Sequence, residues 1–358
     1  MSVLDDIQKS FIKKESIYGP DNYKPLPVVL SKAKGVWVWD VSEKKYLDMM
    51  SGYSAVSHGH AHPVLLKTFH DQSSRLSLTS RAFYTDTLGP YLETITQMTG
   101  FEMALPMNSG AEAVETAIKS SRRWAYRTKK VEENKAEIIV AEGNFHGRTT
   151  TIISFSTDEN SRKDFGPHTP GFVAVEYGSS KAIEDAITPN TAAVIIEPIQ
   201  GEGGIIVPPD NYLNEVRAIC TKHNVLMILD EIQSGLGRTG KLFAYQHSCG
   251  QCSCGENSCD VQPDGLILGK ALGGGFMPVS VFLSSEEVLS WMDPGSHGST
   301  FGGNPLASAL AKRSLELLYE ENLIENSRVM GDYFKEQLIA LNSELIVEIR
   351  GMGLWLGV

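Results

Sequence analysis

The chain has 358 residues, 42% of them hydrophobic and 21% charged, enough for a sizeable core and about two domains. A formal net charge of −11 argues against a nucleic-acid binder or a partner of anionic membranes, and no apolar run approaches the ~18 residues of a membrane span. The opening "MSVLDDIQKSFIKKES" has two early aspartates, no arginine and no secretory apolar region, so the expected location is the cytoplasm.

Residues 21–30, "DNYKPLPVVL", read as an extended arm, because Pro25 and Pro27 disfavour helix. "GVWVWDV" and "KKYLDMM" read as a hairpin. From about residue 100 strands and helices alternate. "AEAVETAIKSSRRWAYR" places Val114, Ala117, Ile118, Ser121 and Ala125 on one face at helical spacing. "EIIVA", "AAVIIEPI", "VLMILDE" and "GLILGK" are short, almost wholly apolar runs, as expected of strands covered on both faces in a mostly parallel sheet. Beyond Asn304 the pattern turns helical, and "ELIVEIRGMGLWLGV" predicts a strand and a bend. The expected architecture is therefore α/β. A large domain spans 45–310, and a smaller α+β lobe combines an N-terminal arm (1–44) with 311–358. The last strand reaches Val358 without a terminating signal, so the small lobe reads as unfinished.

Lys270 closes the apolar run "GLILGK", which aims it at the crevice where α/β sheets hold ligands. Desolvation there would lower its pKa and make it a nucleophile toward carbonyls, although a lysine beginning a surface loop has the same local pattern. Asp230 ends another apolar strand about 40 residues earlier. Such a pair suits pyridoxal phosphate chemistry, in which the lysine joins the cofactor's aldehyde and the aspartate keeps the ring nitrogen protonated. A structural ion pair or a helix cap is the alternative. Ser109 and Gly110 in "MNSGAEAVE" stand before a helix, where backbone N–H groups could cradle a phosphate; Ser109 with Glu112 is equally a capping box. In "EGNFHGRTT", Phe145 could stack on a flat ring and Arg148 could grip a carboxylate, or the two are core and solvent-facing residues. His146 between them reads as packing.

These stretches, in this order, resemble the class III, fold-type I aminotransferases. The resemblance rests on Ser-Gly-Ala, Phe-His-Gly-Arg, Glu-Pro-Ile-Gln, "LDEIQSGLGRTG", "LGKALGGGFMPV" and "HGSTFGG", and covers roughly residues 20–355. It implies pyridoxal 5'-phosphate as cofactor, with Lys270 as the covalent anchor and proton shuttle and Asp230 on the pyridine nitrogen. Gln233 would bond the phenolic oxygen, Phe145 would stack on the ring, and Ser109, Gly110 and Ala111 would hold the phosphate. Ser299 and Thr300 would serve the partner subunit's cofactor in a homodimer with shared sites. "YGPDNYKPLPVVL", "SGYSAVSHGHAHP" and "RKDFGPHTPGF" resemble the ornithine-using branch of the family. That branch implies Tyr23 and Arg148 on the donor's α-carboxylate, Tyr53 shaping the pocket, and Glu197 and Glu202 facing the site. Glu202 would mask an arginine that otherwise receives 2-oxoglutarate. That arginine is expected in the tens of residues by which family members continue beyond the position of Val358. Acetylornithine or 4-aminobutyrate is the alternative donor.

"HSCGQCSCGENSCDVQPD" departs from the family pattern. Cys249, Cys252, Cys254 and Cys259 allow a zinc site, a redox-sensitive dithiol loop open to a redox partner, or an inert insertion. A nicotinamide-dependent oxidoreductase is a rival from another class, but "LGGGF" lacks the spaced glycine fingerprint and the acidic residue ~20 positions on. A thioredoxin-type or metal-binding module would occupy only the cysteine loop.

Overall fold

The computed structural model describes residues 6–248 and 261–358. The cysteine loop, 249–260, lies outside them, so its three readings stay as they are.

Twelve strands are formed. Three make an antiparallel meander near the N-terminus: β1 (Leu30–Lys34), β2 (Trp37–Asp40) and β3 (Lys45–Leu47). The expected hairpin is β2–β3. Seven form the main sheet: β4 (Met103–Met107), β5 (Glu137–Ala141), β6 (Phe172–Val175), β7 (Thr191–Ile196), β8 (Leu226–Asp230), β9 (Gly265–Leu268) and β10 (Ser280–Ser284). Their order is β4-β10-β9-β8-β7-β5-β6, and only β10 runs against the others. The last pair, β11 (Arg350–Met352) and β12 (Trp355–Gly357), is an antiparallel hairpin.

The continuous apolar runs are explained by what covers each face. On one side Ile139, Val194, Met227, Leu229, Leu266 and Val281 meet the helices Tyr212–His223 and Pro305–Glu320. On the other, Ile138, Val140, Ile195, Ile228, Ile267 and Phe282 meet the helix Gly110–Trp124. Successive residues of one strand thus enter different cores, and none can be polar without cost. The five residues predicted for the inner face of the 110–124 helix are all buried. Burying Val114 and Ile118 contributes roughly 1.5–3 kcal/mol each, more than enough to offset the weak helix propensity of that helix's serines and threonine.

Asn304 caps the Pro305–Glu320 helix, accepting from Ala307 N–H at 2.9 Å, with proline at the first helical position where it needs no donor. One expectation fails locally. Residues 344–349 form no strand; Leu345 and Val347 are exposed and pair with no described neighbour, and ordered pairing begins only at Arg350. Among the described residues no helix is long and apolar enough to cross a membrane.

Candidate active site

Because β4, β5, β7, β8 and β9 run the same way, their carboxyl ends deliver side chains to one edge of the sheet. β8 delivers Asp230, which is 5% exposed. β9 delivers Lys270, two residues past its end, at the start of a short turn. Lys270 sits at φ +46, a left-handed conformation costly for a side-chain-bearing residue. Glu197 follows β7, the Phe145–Arg148 segment follows β5, and the helix from Gly110 follows β4.

Lys270, Asp230, Phe145, Gln233, Gly110 and Ala111 line one cavity of about 190 Å³, together with Glu197 and His146. Burial pushes the Lys270 pKa down, against the opposing pull of Asp230, Glu202 and Glu197. Burial likewise pushes Glu197 up to about 7, although its carboxylate accepts from the N–H of Phe145 at 3.0 Å and of Gly201 at 3.4 Å. The sequence thus places an amine and a carboxylate in one enclosed site with their pKa values drawn toward neutrality, the pattern of acid–base sites.

His146 is the residue sequence reasoning missed. It was expected to be packing. Instead its Nδ1 donates to Asp230 Oδ2 at 2.7 Å, and its side chain is fully buried. Burial lowers its pKa, but the hydrogen bond and charge of Asp230 outweigh that, and the net shift is upward. Asp230 Oδ1 accepts from Ile232 N–H at 3.0 Å. Both carboxylate oxygens are therefore held, and Asp230 is oriented rather than free to rotate. No local signal marks His146 for this, because its partner lies 84 residues away.

The loop around Gly147 is tightly seated. Gly147 has φ +126, and a Cβ there would lie 2.9 Å from that of Ala111. At Gly110 a Cβ would lie 2.9 Å from Ile232 Cδ1. These contacts bring the Phe145 loop, the helix N-terminus and the Asp230 strand end to a common point.

Other expected site residues lie outside this cavity. Ser109 makes the capping box: it accepts from Glu112 N–H at 3.3 Å while Glu112 Oε2 accepts from Ser109 N–H at 2.7 Å. Arg148 is exposed, with its guanidinium 5.6 Å from the Phe145 ring centre. Ser299 accepts from Asn108 Nδ2 at 2.7 Å, next to that cap, and Thr300 is exposed. Tyr23 is 76% exposed. Tyr53 and Glu202 line a second cavity of about 290 Å³, which shares Gln233 with the first.

The residues present suit pyridoxal phosphate. There is a partly desolvated lysine, a carboxylate fixed on both oxygens, an aromatic ring, and a helix start closely packed against them. Among the described residues no group of three or more metal-ligating side chains occurs.

Residues 18–358 match the class-III aminotransferase family. An ornithine aminotransferase of Brevibacillus brevis is 54% identical over 346 residues, 97% of this chain and 84% of the relative. A Toxoplasma gondii ornithine aminotransferase structure, crystallised with oxidised glutathione and holding partially occupied PLP, superposes with TM-score 0.92 at 41% identity, covering 97% of this chain and 80% of that one. An acetylornithine aminotransferase of Elizabethkingia anophelis superposes with TM-score 0.84 at 44% identity, covering 97% and 82%. With a mostly parallel seven-stranded sheet, a lysine and an aspartate at its carboxyl edge, and these relatives, the chain belongs to the class III aminotransferases, of fold type I.

Proposed function

We propose that this chain is an ornithine δ-aminotransferase that uses pyridoxal phosphate. Ornithine gives up its δ-amine and leaves as glutamate 5-semialdehyde, and 2-oxoglutarate takes the amine and leaves as glutamate. The observation that carries this reading is the single cavity in which Lys270 shares a wall with an Asp230 fixed by His146.

When bound, pyridoxal phosphate supplies the electron sink and the amine carrier. The protein's part is positioning and proton handling. Lys270 Nζ, its pKa lowered by burial, is the nucleophilic amine and then moves a proton within the site. Asp230 would hold positive charge on the ring nitrogen, and His146, donating to it, keeps the carboxylate aimed. Phe145 would cover a ring face, and Gln233 would donate to the ring's oxygen. Gly110 and Ala111 would present backbone N–H groups to the phosphate. Arg148, with Tyr23 and Tyr53, would hold the donor's α-carboxylate, leaving the far amine to react. Glu197 and Glu202 would balance charge at the donor end.

Two further assignments belong to this reading. The first is a homodimer with shared sites, in which Thr300 and Tyr23 serve the partner's cavity. It is supported by the outward-facing Ile7, Phe11, Ile17, Tyr18, Tyr23 and Leu26, more exposed apolar surface than one segment of a monomer normally carries. The second is a large domain at about 45–310 with a lobe from both ends, in the cytoplasm, where a free buried thiol such as Cys220 persists. A redox partner at the Cys249–Cys259 loop is kept as a proposal on spacing alone.

Turnover of ornithine, acetylornithine and 4-aminobutyrate, each with 2-oxoglutarate, tests the donor. Ornithine should be preferred by at least about ten-fold in kcat/KM. A preference for acetylornithine, which the Elizabethkingia relative favours, would replace it.

A further inference from the structure

The second cavity has an unusual support. Ser51, Gly52, Tyr53 and Ser54 all have positive φ, between +51 and +73. Three of these are not glycine, and each such residue costs of the order of 1 kcal/mol, so the turn persists only if its surroundings hold it. Asp48 holds one side, accepting from the N–H of Met50 at 3.0 Å and of Ser51 at 2.9 Å.

Arg238 holds the other. It lies on the same loop as Gln233, beyond β8. Its Nη2 donates to Ser57 Oγ at 2.6 Å and Ser51 Oγ at 3.4 Å, and its Nη1 donates to the carbonyl of Leu354 at 3.3 Å. Its own carbonyl accepts from Ser327 Oγ at 2.8 Å, which in turn accepts from Leu354 N–H at 3.3 Å. Nε is buried without a partner. Burial pushes the arginine's pKa down, and among the described residues no carboxylate opposes that shift. A half-buried cation without a counter-ion is expensive, and here its donors go to three separate segments. Those segments carry Tyr53, Gln233 and the Leu354–Trp355 turn, which are three walls of the cavity.

We infer that Arg238 is a positioning residue for substrate: one guanidinium locks the strained Tyr53 turn, the Gln233 loop and the β11–β12 turn into register, without itself touching the reacting atoms. This rests on the function proposed above. Lysine in its place keeps the charge but cannot reach three segments at once.

The test compares R238K, R238Q and S57A with the parent as holoenzyme. Visible absorbance reads the bound cofactor, and ornithine kinetics read the cavity. All three variants should retain cofactor and near-parental kcat at saturation. KM for ornithine should rise about ten-fold in R238K and R238Q, and less in S57A, because uniform substrate binding is what is lost. In the double variant S57A/R238Q the two effects should not add, since they break one contact. Cofactor loss, a fall in kcat at unchanged KM, or unaltered kinetics in all three variants would overturn the inference. Parental turnover of ornithine is measured in the same series. A failure of the donor assignment therefore shows in the parent, and a failure of the clamp only in the variants.

Discussion

The cavity around Lys270 stands on strand ends, whereas the cavity beside Tyr53 is walled by loops. In the first, Asp230 and Lys270 extend from β8 and β9, strands buried on both faces, and Asp230 is fixed by two hydrogen bonds. In the second, Tyr53 rides on a left-handed turn and Glu202 lies exposed. The difference follows from what each must do. Chemistry on a fixed ring needs a rigid frame, while two substrates of different length and charge need walls that can be set separately.

That contrast can be broken most severely at Lys270. K270A should lower kcat/KM by roughly 10⁴-fold or more, because nucleophile and proton carrier are lost together, with circular dichroism unchanged. D230N should cost about 10²–10³-fold, the range for removing one preorganised charge from an enclosed site. H146A should cost less, about ten- to hundred-fold, matching one charge-assisted hydrogen bond. Its effect should largely vanish in a D230N background, because His146 acts through that carboxylate. An H146A enzyme as active as the parent would return His146 to packing.

A finer test uses pH. Glu197 is raised to about 7 in the folded chain, so the folded state binds its proton more tightly than the unfolded one. Stability from this group is present at low pH and is lost as pH rises from the ordinary carboxyl range through about 7. Denaturant unfolding of the cofactor-free protein at pH 5 and pH 7.5 should show a smaller pH-dependent loss in E197Q than in the parent. Glu231, also raised to about 7, should keep part of the slope in both. Equal slopes would remove Glu197 from the account.

The rigid cavity is also the legible one. β5, β7, β8 and β9 announce themselves as apolar runs because both faces are covered, and Lys270 and Asp230 stand out because a charge ends each run. The 110–124 helix declares its buried face by spacing. The loop-built cavity carries no such marks. Nothing in "SGYS" signals a left-handed turn, since Ser51 and Tyr53 are held there by Asp48 and Arg238 rather than by their own preference. His146 and Arg238 act through partners far away in sequence, which no period or local motif encodes. The 344–349 stretch errs the other way: its apolar residues suit a strand, but no described strand stands beside it.

The most direct measurement is borohydride reduction of the protein after incubation with pyridoxal phosphate, followed by peptide mass mapping. The account predicts that visible absorbance bleaches and that the added mass lies on the peptide containing Lys270. Label on a different lysine, or none at all, would contradict it.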